Sequence, residues 1–295
     1  MPQGLGQGGL SSFKVADMTT GTAVLDLRKQ SVDDVIDRVE EALRVRLNRT
    51  SPVVKRRSIG LPTDQRTWVR IEARSVERIN GQSWNGVEAA AVLHGIAKPE
   101  WHQGIAWSEP AQALMWRADE TELIAAPSIK PGGVLTVDPG LSDIWWSTLT
   151  ASLNALAGQG TTRVAGLQPI TQQRISSVIG ELYPDLDATV DEWRTAHADL
   201  AWANLTAPEC VILDWEDWGI APRGYDAATL WGESLAVPGL PERVYRECQS
   251  DMDSRSGKLM RLFQCSKYIR SGERSEPLYT PAKAQADSLV TELRN

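Results

Sequence analysis

The segment that most constrains this chain runs from residue 197 to residue 214. It contains Asp199, then Asn204 five positions later, and then an apolar run at residues 210–213 that ends directly at Asp214. A compact apolar run bounded by polar residues is typical of a short buried strand. The chain is therefore expected to place two carboxylates and one amide at the ends of such a strand.

These three side chains supply the chemistry that phosphoryl transfer requires. A carboxylate such as Asp199 can accept the proton of a hydroxyl group. The oxygens of Asn204 and Asp214 suit Mg²⁺, a hard cation that is often held by few protein ligands and by substrate phosphates. Catalysis of phosphoryl transfer is mainly positioning and charge neutralisation, so this small set is sufficient. Taken singly, each residue also has a structural explanation, because Asp and Asn favour turns and helix caps.

The spacing of His197, Asp199 and Asn204, followed by Asp214, resembles a known family. It is similar to the catalytic loop and metal-binding Asp of the aminoglycoside phosphotransferase and choline kinase group, which are relatives of the protein kinases. In that group the loop usually has His-Gly-Asp, and here Ala198 replaces the glycine.

A second segment, residues 221–226, resembles the Gly-Asp-Pro-x-x-Asp-Leu segment of the same group. The resemblance implies that Asp199 is catalytic, that Asn204 and Asp214 bind metal, and that His197 and Asp226 give the loop structural support. It also implies Mg²⁺ as cofactor and ATP or GTP as phosphoryl donor.

The implied fold is α+β and two-lobed, with a small strand-containing N-lobe and a larger, mostly helical C-lobe. We expect a flexible tail at residues 1–30, the N-lobe at 31–120 and the C-lobe at 121–295. Hydrophobic periodicity predicts a helix of about four turns from Ser31 and a second helix at residues 87–94. Strands are predicted at 53–59 and 67–74, joined by a turn at 60–64, and near 105–107 and 113–116. Further helices are predicted at residues 141–156, 170–182, 242–248, 258–268 and 283–293.

The nucleotide side of a kinase-like lobe needs a strand cation and a helix glutamate that holds it. Arg70 lies in the middle of a predicted strand and Glu88 on the following predicted helix, so we expect these two to pair. Arg74 has the same strand face and competes with Arg70 for the role. Alternating charges on an exposed strand are the other explanation. Met115 falls where a hinge that contacts the base is expected.

Two departures from the family pattern keep a second function open. The strand cation is an arginine instead of a lysine, and the hairpin near residue 60 does not match a glycine-rich phosphate loop. Ser58, Thr63 and nearby backbone amides are then candidate phosphate contacts. The chain could accordingly be a catalytically weak, kinase-like module that binds a nucleotide or a partner. A protein substrate is a third alternative, although residues 215–221 leave little room for a kinase-type activation segment.

The resemblance favours a small-molecule hydroxyl acceptor, first an aminoglycoside or similar antibiotic, then a choline-like or sugar metabolite. Glu216 and Asp217 directly follow Asp214, and carboxylates in a cleft attract ammonium groups. These two residues are therefore predicted to bind a cationic acceptor. A second acidic group, at residues 185–192, has the simpler explanation of a solvated helix start.

Composition bounds the remaining classes of function. The chain has 38 acidic and 31 basic residues and a net charge of −7, which argues against binding to nucleic acid or an anionic membrane by bulk charge. No apolar run is long enough for a membrane span, and no signal peptide is apparent, so the expected compartment is the cytoplasm. Three dispersed cysteines suggest reduced thiols, and three histidines without metal spacing argue against zinc. Oligomeric state is left open.

Overall fold

The computed structural model describes residues 26–79, 82–164 and 169–294. Its first part is built on a five-stranded antiparallel sheet in the spatial order β1-β2-β3-β5-β4. Two further strands, β6 and β7, pair in the second part. The strands are β1 (Val53–Val54), β2 (Ser58–Pro62), β3 (Thr67–Ser75), β4 (Trp101–Glu109), β5 (Leu114–Glu122), β6 (Trp193–Ala196) and β7 (Gly219–Pro222).

Helices dominate the second part of the chain. The α-helices are α1 (Asp33–Leu43), α2 (Gly86–Ala89), α3 (Asp143–Ala157), α4 (Gln172–Gly180), α5 (Tyr225–Glu233), α6 (Leu240–Glu247), α7 (Gln249–Met252), α8 (Arg255–Ser271) and α9 (Tyr279–Arg294). Short 3₁₀ helices lie at Leu27–Lys29, Val76–Arg78, Gln82–Asn85, Ala90–Val92, Pro110–Gln112, Trp202–Asn204 and Gly272–Ser275. Among the described helices, none combines the length and apolar character needed to cross a membrane.

Two separate hydrophobic cores define the two lobes. The smaller core lies between α1 and one face of the sheet, where alternate β3 residues, Val69, Ile71 and Ala73, are buried. The larger core gathers apolar residues of α3, α4, α5, α8 and α9. Trp145, Trp146 and Trp202 pack together within it, with ring centroids 5.0 to 6.2 Å apart. The predicted α+β, two-lobed fold is confirmed.

The first hairpin differs from its prediction in the position of the turn. The turn predicted at 60–64 lies at residues 63–66, because residues 60–62 belong to β2 and pair with Arg70, Val69 and Trp68 of β3. The strand predicted at 53–59 is also broken by a second reversal, at residues 55–57. Gly60 is needed in β2 because a Cβ atom would overlap the Trp68 ring. The glycine that suggested a turn therefore permits close packing within a strand.

The first helix is shorter than predicted and the tail is partly packed. Helix α1 ends at Leu43, because Arg44 adopts the left-handed conformation with φ 57° and donates its N–H to the Glu40 carbonyl. Leu47 lies beyond the helix end and is buried. Most of the predicted flexible tail, residues 1–25, lies outside the described residues. Leu27, also assigned to the tail, is buried in the smaller core.

Two other predicted elements are broken or shortened. The predicted helix at 87–94 consists of one α-helical turn, α2, followed by the 3₁₀ helix Ala90–Val92. Its residues Ala90 and Leu93 pack into the larger core and not into the sheet. The predicted strand at 210–213 forms only an isolated bridge between Ile212 and Leu205.

Candidate active site

Ionised side chains cover the face of the sheet opposite the smaller core. Because side chains alternate along a strand, the register places Arg70 of β3 opposite Asp119 of β5, and Glu72 opposite Arg117. Arg74 lies on the same face as Arg70 and Glu72. Glu72, Arg74, Arg117 and Asp119 are buried, so the face is not the exposed charged strand that the sequence left open.

Both β3 arginines reach Glu216, which follows the predicted metal residue Asp214 by two positions. Arg70 forms an ion pair with Glu216, and its Nη1 lies 3.6 Å from Asp214 Oδ1. Arg74 Nη2 donates to Glu216 Oε2 at 2.7 Å, and Arg74 Nε donates to Glu72 Oε1 at 2.5 Å. The strand cations are therefore held by a carboxylate of the second lobe.

The predicted pairing of Arg70 with Glu88 is wrong. Glu88 Oε2 accepts a hydrogen bond from Arg117 Nη2 at 3.0 Å, and Arg117 also donates to Asp119. Glu88 therefore pairs with Arg117 of the neighbouring strand β5, and the partner of Arg70 is Glu216. The alternation of side chains along β3 correctly placed Arg70 and Arg74 on one face of the strand. It could not identify Glu216 as the residue that this face contacts.

Met115 does not lie at a hinge. It is the second residue of β5, where the register places it between Arg74 on β3 and Ser108 on β4. The sheet ends at Glu122, so the connection to the second lobe begins at residue 123. The prediction for Met115 is wrong because β5 extends six residues beyond the end of the strand expected near it.

Hydrogen bonds join the residues of the predicted catalytic loop. Asn204 Nδ2 donates to Asp199 Oδ2 at 3.0 Å and to the Asp199 carbonyl at 2.9 Å. The Leu213 N–H donates to the Asn204 carbonyl at 2.8 Å, which brings Asp214 beside the loop. The structure thus assembles Asp199, Asn204 and Asp214 at one place, as their spacing predicted.

His197 links the loop to the segment before Asp214. Its Nε2 lies 2.9 Å from the Leu213 carbonyl, and since a carbonyl only accepts, Nε2 must carry the proton. The ring is fully buried and packs edge-on against Trp215, with centroids 4.8 Å apart. His197 is therefore placed to hold two segments together.

Asp226, at the start of α5, holds the other side of the loop. Its Oδ2 accepts from the His197 N–H at 2.7 Å and its Oδ1 from the Ala198 N–H at 2.8 Å. Burial raises the pKa of Asp226, while His197 and these two hydrogen bonds act in the opposite direction. The bracing position that the resemblance implied for Asp226 matches this geometry.

Ala198 adopts a backbone conformation that explains why the resembling family has glycine there. Its φ is 66°, in the left-handed region that costs a residue with a Cβ atom about 1–2 kcal/mol. Asp214 also has a left-handed φ, 63°, which Asp tolerates better than most residues. The loop turns sharply at both of these positions.

We expect Ala198→Gly to leave the free energy of unfolding unchanged or to raise it by up to about 1 kcal/mol, because relief of the strain outweighs the entropy that glycine adds to the unfolded chain. The matched change Ala151→Gly, at an exposed position within α3, should instead lower stability by about 1 kcal/mol. Urea denaturation measures both. Equal losses for the two variants would contradict the strain at Ala198.

The loop and the sheet face enclose a cavity of about 360 Å³. Asp199, Asp214, Glu216 and Asp217 contribute an acidic part of its wall. Burial raises the pKa of Asp199, and the negative charge of Asp214 adds to this effect, while His197 opposes it. Burial and Asp214 likewise raise the pKa of Asp217, and Arg74 opposes them. This part of the wall is strongly acidic and favours a ligand that brings positive charge.

The oxygen atoms of Asn204 and Asp214 fit a hard divalent cation. Because the Asn204 amide nitrogen is used on Asp199, the amide oxygen is the atom left for a cation. Within the described ranges, no group of three or more His, Cys, Asp or Glu side chains could hold a metal alone. A cation here would therefore share its ligands with a bound substrate, which is usual for Mg²⁺.

Sequence reasoning missed one part of this cavity. Lys55, Arg56 and Arg57 form the β1–β2 turn and line the cavity beside Ser58. Three consecutive cations were the available signal, but the strand predicted at 53–59 placed them within an extended segment. Thr63, the other candidate phosphate contact, instead bonds within its own hairpin, to the Thr67 hydroxyl at 2.6 Å.

The buried Arg74 side chain joins the two lobes, since it donates to Glu72 of one and Glu216 of the other. Lysine keeps the charge but cannot donate along two directions from a planar group. We expect Arg74→Lys to lower the free energy of unfolding by about 1–3 kcal/mol. The exposed Arg78→Lys should change it by less than about 0.5 kcal/mol. Similar melting curves for both variants would show that the Arg74 bridge contributes little.

Comparison with known proteins supports the fold. No protein-family model and no curated protein matches the sequence significantly. Similar solved structures include APH(2")-IIIa with GDP and kanamycin, 14% identical, with a TM-score of 0.52 over 90% of this chain and 98% of that chain. APH(2")-IIa with streptomycin and ATP is 12% identical, with a TM-score of 0.51 over 88% and 97%. Choline kinase LicA from Streptococcus pneumoniae is 12% identical, with a TM-score of 0.50 over 89% and 98%. The chain therefore has the fold that the resemblance of residues 197–226 implies.

Proposed function

We propose that this chain transfers the terminal phosphoryl group of a nucleoside triphosphate to a hydroxyl group of a small molecule. The observation that carries the proposal is the position of Asp199 and Asp214 in the lining of one cavity, together with the hydrogen bond from Asn204 to Asp199. Cations also line the same cavity. The fold adds support, because proteins that share it were solved with GDP and kanamycin or with ATP and streptomycin.

Asp199 orients the acceptor hydroxyl and takes its proton. The hydroxyl oxygen forms a bond to the γ-phosphorus while the bond between that phosphorus and the β–γ bridging oxygen breaks. The products are the phosphorylated acceptor, the nucleoside diphosphate and the proton held by Asp199. The raised pKa of Asp199 makes its carboxylate a better proton acceptor than an exposed one.

Asn204 and Asp214 would hold the divalent metal, for which Mg²⁺ is the proposed ion and ATP or GTP the donor. Such a metal neutralises the charge that develops on the phosphates. Arg70 is the proposed strand cation for those phosphates, because it lies in the cavity wall near Asp214. Arg74 is buried between Glu72 and Glu216 and is better suited to position Glu216.

The proposed acceptor is an aminoglycoside or another hydroxyl compound that carries ammonium groups. Of the two residues predicted to bind it, Glu216 is occupied by two arginines. The proposal for a cationic acceptor therefore rests mainly on Asp217, which lines the cavity beside Asp214. A choline-like compound would satisfy the same chemistry.

A nucleotide-binding module without turnover is the second candidate. The ion pair between Arg70 and Glu216 favours it, because a carboxylate already engages the cation that the phosphates would need. This candidate predicts nucleotide binding with no phosphorylated product for any acceptor.

The test measures binding first and transfer second. A thermal-shift assay with ATP or GTP, each with and without Mg²⁺, is expected to show metal-dependent stabilisation by at least one nucleotide. A panel of kanamycin, streptomycin, choline and a neutral macrolide then identifies acceptors by mass spectrometry of the phosphorylated product. Stabilisation without product would favour the binding module. Absence of both would contradict the proposed function.

A further inference from the structure

The Asp217 carboxylate lines the proposed active site, and both of its neighbours in sequence are held in place. Glu216, on one side, pairs with Arg70 and Arg74. Trp218, on the other side, is buried and bonded through its ring and its carbonyl. In the described part of the chain, no hydrogen bond or ion pair reaches the Asp217 side chain, although it is partly buried. The main chain around Asp217 is therefore fixed while its carboxylate remains open to a ligand.

Arg163 holds Trp218 from one side. Arg163 Nε donates to the Trp218 carbonyl at 3.2 Å, and its guanidinium lies over the Trp218 ring, 4.7 Å from the centroid. The Arg163 carbonyl accepts from the Ile220 N–H at 2.8 Å, so the main chains are joined as well. Only 9% of Arg163 is exposed, and a cation over an indole ring gains most when both are shielded from water. One side chain thus fixes both the ring and the carbonyl of the residue that follows Asp217.

The start of α2 holds Trp218 and Arg163 from the other side. Trp218 Nε1 donates to the Gly86 carbonyl at 2.9 Å, and Arg163 Nη1 donates to Asn85 Oδ1 at 3.1 Å. Asn85 precedes α2, yet its side chain makes no capping bond to the helix. Glycine is required at residue 86, because a Cβ atom there would lie 2.1 Å from the Glu216 carbonyl oxygen. The start of α2 therefore packs directly on residues 216–218.

Arg163 acts on Asp217 without occupying its carboxylate. Burial lowers the pKa of Arg163, and the negative charge of Asp217 opposes this effect, so the two charges are near each other. Among the described ion pairs, however, none joins Arg163 to Asp217, and Arg163 is not one of the residues that line the cavity. Its contribution to the site is therefore the position of Trp218 and Asp217.

We propose that Arg163 is a positioning residue for recognition of the acceptor. It holds Trp218 against α2 and thereby directs the Asp217 carboxylate into the cavity, where Asp217 binds an ammonium group of the acceptor. This inference rests on the proposed function, since it concerns the acceptor of the same reaction. Because the Arg163 bonds named above reach neither Arg70 nor Asp214, loss of Arg163 weakens binding of the acceptor and not of the nucleotide.

The test compares Arg163→Lys with Arg246→Lys, an exposed change on α6. Lysine keeps the charge but cannot stack as a plane or donate to Trp218 and Asn85 at once. With kanamycin or choline, whichever the parent phosphorylates, Arg163→Lys should raise the KM of the acceptor about 5- to 20-fold. The dissociation constant of the nucleotide, measured by calorimetry, should stay within about twofold of the parent. Arg246→Lys should leave both values unchanged.

A double-mutant cycle separates positioning from general stability. Asp217→Asn removes the charge that Arg163 is proposed to direct, and it should raise the acceptor KM by at least as much as Arg163→Lys does. In the Asp217→Asn background, Arg163→Lys should change KM by less than about twofold, because the two residues act through one contact. A purely structural role of Arg163 would instead give losses that multiply.

Each outcome decides the inference. Product from the parent with an unchanged acceptor KM in Arg163→Lys, or multiplied losses in the cycle, would overturn it and leave phosphoryl transfer standing. Product from a neutral acceptor alone would do the same. If the parent forms no product with any acceptor, the proposed function and the inference fail together. Should Arg163→Lys melt below the assay temperature, the exposed change Asn85→Ala replaces it, because Asn85 accepts one of the Arg163 bonds, with the exposed Asn154→Ala as its control.

Discussion

Asp199→Ala is expected to lower kcat for phosphoryl transfer by about 10²- to 10⁴-fold, which is the usual contribution of a positioned general base. Asp199 lies on the cavity wall, where its carboxylate can meet the acceptor hydroxyl. Asp199 forms no ion pair with the described cations of the cavity, of which Arg70 is proposed to bind the phosphates. The dissociation constant of the nucleotide should therefore be nearly the same for the variant and the parent. Steady-state kinetics and calorimetry measure the two quantities separately.

The variant Asp199→Asn distinguishes a lost base from a collapsed loop. Its side-chain oxygen can still accept the bond that Asn204 Nδ2 now gives to Asp199 Oδ2 at 3.0 Å. We therefore expect a nearly parental melting temperature together with a loss of turnover close to that of the alanine variant. Asp287→Asn, an exposed change on α9, is the control and should keep parental kinetics. Full turnover by Asp199→Asn would refute the proposed role.

The arrangement of the proposed catalytic segment could be predicted because its residues are close in sequence. Asp199 and Asn204 are five positions apart and bond directly, and one backbone bond, from Leu213 to Asn204, brings Asp214 to them. The apolar run before Asp214 indicated where the carboxylate would emerge. In the structure this run is not a full strand. It forms one isolated bridge, between Ile212 and Leu205.

Partners distant in sequence could not be predicted in the same way. Arg74 and Glu216 are 142 positions apart, and nothing in the alternation of β3 names a carboxylate of the other lobe. The expected partner, Glu88, was chosen from the order of elements, but Arg117 on the adjacent strand is nearer to it. Electrostatic pairing across lobes depends on how two independently formed cores meet, which no local pattern encodes.

The position of Lys55, Arg56 and Arg57 in the cavity lining was not predicted, for a different physical reason. Gly60 indicated a turn, because glycine most often marks a reversal of the chain. In the structure it makes room for the Trp68 ring on the neighbouring strand, and the turn lies at residues 63–66. A second reversal, at residues 55–57, breaks the strand predicted at 53–59 and brings its three cations to the edge of the cavity.

Asp226→Ala is expected to have the largest effect on stability and to lower the free energy of unfolding by about 2–6 kcal/mol. It leaves one buried and one partly buried N–H group without an acceptor, and each such loss costs about 1–3 kcal/mol. Removing a buried carboxylate also relieves its desolvation, and the raised pKa of Asp226 reflects that cost. The loss of both hydrogen bonds should nevertheless dominate, since His197 and Ala198 donate to separate oxygens at 2.7 and 2.8 Å.

A graded series tests this account of Asp226. Asp226→Asn keeps one acceptor oxygen and places an amide opposite the other N–H, so its loss should fall between those of the parent and the alanine variant. Asp138→Ala is the control, because that exposed aspartate also accepts a backbone bond, from the Gly140 N–H at 2.8 Å, and the variant should lose no more than about 1 kcal/mol of stability.

Kinetics measured well below the melting temperature separate the support of the loop by Asp226 from general stability. Loss of the bonds to His197 and Ala198 frees the backbone that positions Asp199, so kcat should fall while nucleotide affinity is unchanged. An alanine variant as stable and as active as the parent would show that the loop is held by His197 and Leu213 alone.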